Sequence, residues 1–202
     1  MADGKWKWLG VDHITYAVWS MDVWREIYVK MLCFREIHYT ADACPGAPSS
    51  MELCGLESGN SRVALVAPID RKATSHVTTF LDMHGDHSIQ HVAYAIENLE
   101  AFVVEMKAKG FNFLGRIKVR SDSFGPVKQI FAKRFDASLT PAEGAFFEFV
   151  ERPKAGVGGA EEFFSSEVAA ELYADVEGDI ATDDGKPFID LMKMIRNSIG
   201  RD

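Results

Sequence analysis

Two histidines and one glutamate stand out because their surroundings are hostile to polar side chains. His13 lies in Val11-Asp-His-Ile-Thr-Tyr-Ala-Val18, His91 in Gln90-His-Val-Ala-Tyr-Ala-Ile96, and Glu148 in Phe146-Phe-Glu-Phe-Val150. All three phrases read as β-strands by their apolar, β-branched and aromatic content. A carboxylate inside such a strand is costly unless a cation or hydrogen-bond donor compensates it. A lone strand histidine is more often a core residue than a ligand. Two histidines at equivalent positions, with an acid in a third apolar strand, favour a metal. A two-histidine, one-carboxylate face leaves three positions of an octahedral ion open, an arrangement suited to Fe(II) and O2 chemistry.

For these groups to meet within ~2.0–2.2 Å of one ion, the chain must bring distant strands together. The histidine phrases supply the means, because they are two copies of one pattern about 78 residues apart, sharing His, an apolar residue, Tyr, Ala and an apolar residue in register. Such an internal repeat predicts two structurally related modules. In the first, a strand over residues 11–19 and a helix over about 21–32 are followed by strands at 34–39, 51–56 and 62–68. A linker at 69–74 leads to a short helix at 75–84, capped by Ser75. The second module repeats the order: a strand at 89–96, a helix at 99–109 between Asn98 and Gly110, and strands near 112–114, 127–135 and 145–151. The expected fold is therefore α+β, two tandem βαβββ modules forming a curved mixed sheet. Related by a pseudo-twofold, they place their first strands side by side and bring Glu148 up beside them.

The metal-bearing domain is expected over residues 1–153, with module one at about 9–68 and module two at about 86–153. Beyond Pro153 the texture changes. Gly156-Val-Gly-Gly159 is a flexible break, and 161–176 and 187–199 read as amphipathic helices separated by an acidic loop at 177–185. This tail, 154–202, is expected to be a lid over the pocket, or else a packing arm or homodimer contact.

Composition restricts the partners. With 47% hydrophobic residues, 26% charged residues and a net charge of −8, the chain lacks the basic face that nucleic acid requires. No run approaches the ~18 apolar residues of a membrane span, and no signal core opens the chain. Cys33, Cys44 and Cys54 are odd in number and lack metal-site spacing, so they read as reduced thiols of a cytoplasmic protein. The remaining histidines, His38, His76, His84 and His87, are expected on the surface or in loops. His87 and His91 are spaced like helical ligand pairs, but in an extended segment they stand ~13 Å apart and cannot share an ion.

The stretches GDHSIQHVAYAIENLEAFVVEMKAKGFNFL, VKQIFAKRF and GAFFEFVERP resemble the metal-binding domain of the 4-hydroxyphenylpyruvate dioxygenases, within the vicinal oxygen chelate superfamily. The resemblance spans about residues 9–153. It implies that His13, His91 and Glu148 hold Fe(II), and that Gln90 and Gln129 lie in or near the substrate pocket. Neutral amides suit that role, since they donate to a carbonyl or carboxylate without opposing the metal's charge. It also implies oxidative decarboxylation and oxygenation of a small 2-oxo acid, with O2 as co-substrate.

Several features depart from the family. Ser75-His76 stands where the family has Ser-Gln, which makes His76 a candidate substrate contact. The glycine-rich lead to the family's gating helix is only echoed, with Phe163 and Phe164 as candidate gating aromatics. The chain begins a few residues before the first metal strand, where family members carry a further N-terminal domain. All three features touch the end of the pocket away from the metal, so a 2-oxo acid other than 4-hydroxyphenylpyruvate is expected. Glyoxalase- and epimerase-like isomerases close the metal with a fourth ligand from the last strand of module one. Here that strand, Ser61-Arg-Val-Ala-Leu-Val-Ala-Pro68, has no Asp, Glu or His. Extradiol ring-cleaving dioxygenases use the same three ligand types and remain an alternative, whereas a metal-free binding protein would be expected to lose the ligands.

Overall fold

The two histidine phrases form the two central strands of one eight-stranded sheet, ordered β2-β3-β4-β1-β5-β8-β7-β6. The computed structural model describes residues 5–43, 45–46, 50–122, 125–136, 138–152, 178 and 180–189. Its elements are β1 (Lys7–Ala17), α1 (Met21–Glu26) running on into a π-turn (Ile27–Met31), β2 (Arg35–Thr40), β3 (Met51–Ser58), β4 (Ser61–Pro68), α2 (His76–His84), β5 (Ser88–Glu97), α3 (Leu99–Ala108), β6 (Phe113–Asp122), β7 (Gly125–Ala132) and β8 (Phe146–Glu151).

The strand order is its own mirror about the β1–β5 seam. β1 pairs antiparallel with β5, while β1 with β4 and β5 with β8 are the parallel pairs. At the seam His13 faces Ala93 and Thr15 faces His91. The repeat maps His13 onto His91 and Thr15 onto Ala93, so each of these pairings is the twofold image of the other.

Alternation of side chains along each strand divides the core. On the convex face, α1 covers module one over Met21, Tyr28, Leu56, Val63 and Leu65. There α3 covers module two with Leu99, Phe102, Val103 and Met106 against Phe113, Ile130 and Phe149. Asn98 adopts φ +64 and its side chain accepts from the Ala101 amide, while Glu151 accepts the Leu99 amide at 2.7 Å. Both side-chain oxygens satisfy N–H donors that the first helical turn leaves unpaired.

On the concave face the modules differ. α2, started by a Ser75–Thr78 capping box, packs Val77, Phe80 and Leu81 against Ala17, Leu53 and Val66 of module one. Module two keeps its concave face for the site described below.

Two expectations are corrected. The strand expected near 112–114 extends to Asp122, because Gly115 at φ +66 makes a bulge that interrupts the alternation and then lets pairing with β7 resume at Lys118. The helix expected over 21–32 changes character midway, closing with a Leu32 N–H to Ile27 carbonyl bond. His87 lies in the turn before β5, as expected of a loop residue, yet it is packed. Its ring stacks between Trp24 (3.7 Å) and Tyr16 (4.3 Å) and meets the Tyr28 hydroxyl at 3.0 Å, since φ +58 turns it back onto module one.

The tail helices expected at 161–176 and 187–199, with Phe163 and Phe164, fall outside the described residues except for 187–189. The acidic segment expected as a loop contains a helical turn, at 180–181. It is tied to module two. Asp183 pairs with Lys133 at 2.6 Å and Arg134 at 2.8 Å, and the Phe188 carbonyl accepts the Asn112 amide at 2.7 Å. Phe188 itself is buried among Phe111, Phe113, Phe147 and Phe149. Gly144 is required here, because a Cβ at that position would sit 2.4 Å from the Arg134 Cβ.

Candidate metal centre

His13, Ala93, Glu148 and Phe131 lie on one rung across β1, β5, β8 and β7, with His91 two residues along β5 from Ala93. All therefore face the concave side. The two imidazoles and the carboxylate converge, with ligand atoms all within 4.8 Å of one another. Both Nε2 atoms approach the same oxygen, Oε2 of Glu148, at 3.4 Å from His13 and 3.3 Å from His91.

The opposite ring nitrogens are already engaged. His13 Nδ1 lies 2.9 Å from Asp12 Oδ2, and His91 Nδ1 lies 3.3 Å from Gln90 Oε1. A bulge at the β1–β5 seam lets each of these neighbours turn toward its histidine: pairing skips Asp12 between Val11 and His13, and Gln90 between Ile89 and His91. Asp12 is clamped by Arg152, whose Nε and Nη2 donate at 2.7 and 2.8 Å. A carboxylate–imidazole pair of this kind fixes ring orientation and strengthens the other nitrogen as a ligand. His91 is further held by stacking on Phe146 at 4.9 Å.

The electrostatics favour a cation. Burial alone would push the His13 imidazolium down, but the Asp12 and Glu148 carboxylates outweigh it and carry the pKa up to about 9. Burial would raise the Glu148 carboxyl, yet the two imidazoles hold it down at about 2. His91 is lowered, by burial, against the opposing pull of Glu148. The cluster thus keeps an ionised Glu148 and, without a metal, draws a proton onto His13. Oε1 of Glu148 is buried with no hydrogen-bond partner among the described residues. A buried carboxylate oxygen left bare beside two convergent Nε2 atoms is the donor set of a divalent ion, and the residues fit one.

Pairing also shows why three groups, among the described residues, meet there. Ile14 faces Val63 in β4, and its repeat mate Val92 faces Phe147 in β8. Ala64 is therefore the module-one counterpart of Glu148. Where a symmetric site would present a fourth ligand, β4 presents a methyl group.

Of the other expected site residues, Gln129 is 1% exposed on the concave face, two residues from Phe131, and its Nε2 has no partner among the described residues. Gln90 contacts His91 as above. His76 opens α2 and is half-buried, but it is neither in the convergent triad nor among the residues lining the neighbouring cleft. That narrow cleft is lined by Phe131 and Phe146 beside His91, by Leu114 and Pro141, and by Ile180 and Asp183 of the tail segment. Asp12, Arg152, Arg134 and Asp183 were not singled out in the sequence. Asp12 had a signal in its place directly before a candidate ligand, whereas its clamp lies 140 residues away.

The chain belongs to the glyoxalase/bleomycin resistance protein/dioxygenase superfamily, whose model matches residues 12–125. Members of this class include metal-dependent enzymes, and this chain carries a triad able to hold a metal. Among solved structures it resembles a triple mutant of the 4-hydroxymandelate synthase of Streptomyces coelicolor (18% identity, TM-score 0.60), covering 81% of this chain but only 55% of the synthase. It also resembles methylmalonyl-CoA epimerase from Mycobacterium tuberculosis (24% identity, TM-score 0.52), covering 73% of this chain and 91% of the epimerase. At these identities the likeness is one of fold. A search of the curated proteins finds no match. No helix among the described residues is long and apolar enough to cross a membrane.

Proposed function

We propose that the protein is a non-haem Fe(II) dioxygenase that oxidatively decarboxylates and oxygenates a small 2-oxo acid. The observation that carries this reading is the asymmetry between Glu148 and Ala64. Three protein ligands leave three positions, enough for a bidentate 2-oxo acid and O2 together. Bound there, Fe(II) supplies Lewis acidity toward the carboxylate and 2-oxo oxygens and a site at which O2 reacts.

The chain's own groups do the rest. Asp12, held by Arg152, keeps the His13 proton on Nδ1 and its Nε2 toward the ion. Gln90 and Phe146 orient His91. Gln129 offers an amide N–H to a substrate oxygen without adding charge. Phe131 and Phe146 keep water from the reacting end and give an apolar side chain a surface. The segment 180–189, latched through Asp183 and Phe188, closes one wall of the cleft. The cytoplasm and a homodimer remain expectations that follow from composition and the tail.

The test is O2 uptake by anaerobically Fe(II)-loaded protein across a panel of aromatic and aliphatic 2-oxo acids. One of them should accelerate uptake, with CO2 released in equal amount. If none does, while Co(II) or Mn(II) supports substrate turnover without O2, the protein is instead an isomerase or lyase, the chemistry suggested by the epimerase fold likeness.

A further inference from the structure

One charged side chain on the concave face is unused by this account. Lys118 lies on β6, directly paired with Gln129 of β7, which is itself paired with Val150 of β8. Directly opposed residues in antiparallel strands share a face, with Cβ atoms about 4.5–5.5 Å apart. Lys118 therefore faces the same side as Gln129, Val150 and Glu148, and it is only 5% exposed. Lysine is among the residues least often buried. Here it neighbours Gln129, whose buried Nε2 has no partner among the described residues.

The spacing places both groups within reach of something bound at the triad. Val150 is two residues from Glu148, about 6.7 Å along β8, and β6 is two strands away, about 9.6 Å across the sheet. Lys118 Cα is thus on the order of 12 Å from that of Glu148, and an extended lysine side chain spans about half of that interval. A lysine and a glutamine paired across β6 and β7, one pleat repeat from the triad, carry the donor types that receive the outer oxygen of a metal-chelating carboxylate. The apolar cleft beside Phe131 and Phe146 lies toward the His91 end of the site, away from Lys118.

We propose that Lys118, with Gln129, receives the carboxylate of the substrate and so fixes its orientation: the acid end toward β6 and the side chain toward Phe131, Phe146 and Ile180. Lys118 has interactions of its own within the chain, and the arriving carboxylate joins or replaces them. This rests on the reading of the site as a chelator of 2-oxo acids and adds to it the residue that recognises the acid.

Two bidentate chelators separate the possibilities. 3-Phenylpyruvate leaves a carboxylate oxygen free when it chelates; 4-nitrocatechol has none. Isothermal titration of each into Co(II)-loaded full-length protein should show that Lys118→Met weakens phenylpyruvate at least tenfold and leaves nitrocatechol within twofold. Lys118→Arg should restore most of the difference. Equal weakening of both ligands would assign Lys118 a structural role and overturn the proposal, as would no change in either. If the unsubstituted protein binds nitrocatechol but not phenylpyruvate, the 2-oxo acid reading falls with it. Binding of neither would remove the chelating centre altogether.

Discussion

The two halves of the sheet share one architecture and use their concave faces in opposite ways. In module one, α2 fills the curve with Val77, Phe80 and Leu81, and the strand beside β1 presents Ala64. In module two, the equivalent strand presents Glu148, Phe131 and Phe146 line a cleft beside it, and Gln129 is buried on the same face. A duplicated fold offers two equivalent sets of positions. Here one set holds packing and one histidine, while the other holds the carboxylate, the second histidine and a cleft beside them. Openness of the candidate metal centre thus follows from what module one leaves out.

The largest effects are expected at the three candidate ligands. His13→Ala, His91→Ala or Glu148→Ala should each abolish stoichiometric Fe(II) binding, read by metal analysis after anaerobic loading. Circular dichroism should remain that of the folded protein. Full occupancy in Glu148→Ala would mean that module two does not supply the carboxylate.

The next largest effect is expected at Ala64. Ala64→Glu should restore the missing symmetric ligand, keep the metal, and weaken chelation of 2-oxo acids by two orders of magnitude or more by titration. Unchanged 2-oxo acid binding would show that β4 does not face the metal.

Next in size is the latch that, among the described residues, ties the tail to module two. Phe188→Ala removes a ring from a buried aromatic cluster, a change that costs about 3–5 kcal/mol, and chemical denaturation should show a loss of that order. Loss of under 1 kcal/mol would mean that the tail segment is not docked in solution.

Orientation of His13 by Asp12 predicts a smaller effect. Asp12→Asn should reduce metal affinity about 10–100-fold with the stoichiometry kept at one ion. An unchanged affinity would leave the Asp12–Arg152 pair purely structural.

The smallest effect is one of pH. Burial opposes ionisation of Asp183, but Lys133 and Arg134 hold its carboxyl below the ordinary value. Its contribution is present above the unfolded-state pKa of about 3.9 and is lost as pH falls through the lower folded-state value. The Tm gap between the native protein and Asp183→Asn should therefore be steady near neutrality and close as the pH drops below about 4. A gap that widens with acid would contradict the pairing.

Much of this was legible in the chain because it repeats. The two histidine phrases fixed the modules, the alternation of Phe146-Phe-Glu-Phe-Val150 aimed Glu148 inward, and Asn98 and Gly110 bracketed α3. Local signals failed where partners were distant or geometry interrupted the pattern. Gly115 broke the period of β6 and hid its length. His87 sits in a loop as read, but its packing was hidden because Tyr16, Trp24 and Tyr28 reach it from the other module. The acidic run 183–184 resembled a solvated loop, since its cations, Lys133 and Arg134, sit some fifty residues earlier. Equivalence of Ala64 and Glu148 required the strand register, which spacing alone does not give when the two modules differ in loop length.

The most direct test of an open, three-ligand centre is X-ray absorption on the anaerobic Fe(II)-loaded protein, with and without a 2-oxo acid. Two imidazoles and one carboxylate from the protein are expected, with solvent oxygens in the remaining positions that are exchanged for the chelating acid. A fourth protein ligand, or a coordination shell unchanged by the acid, would contradict an open centre.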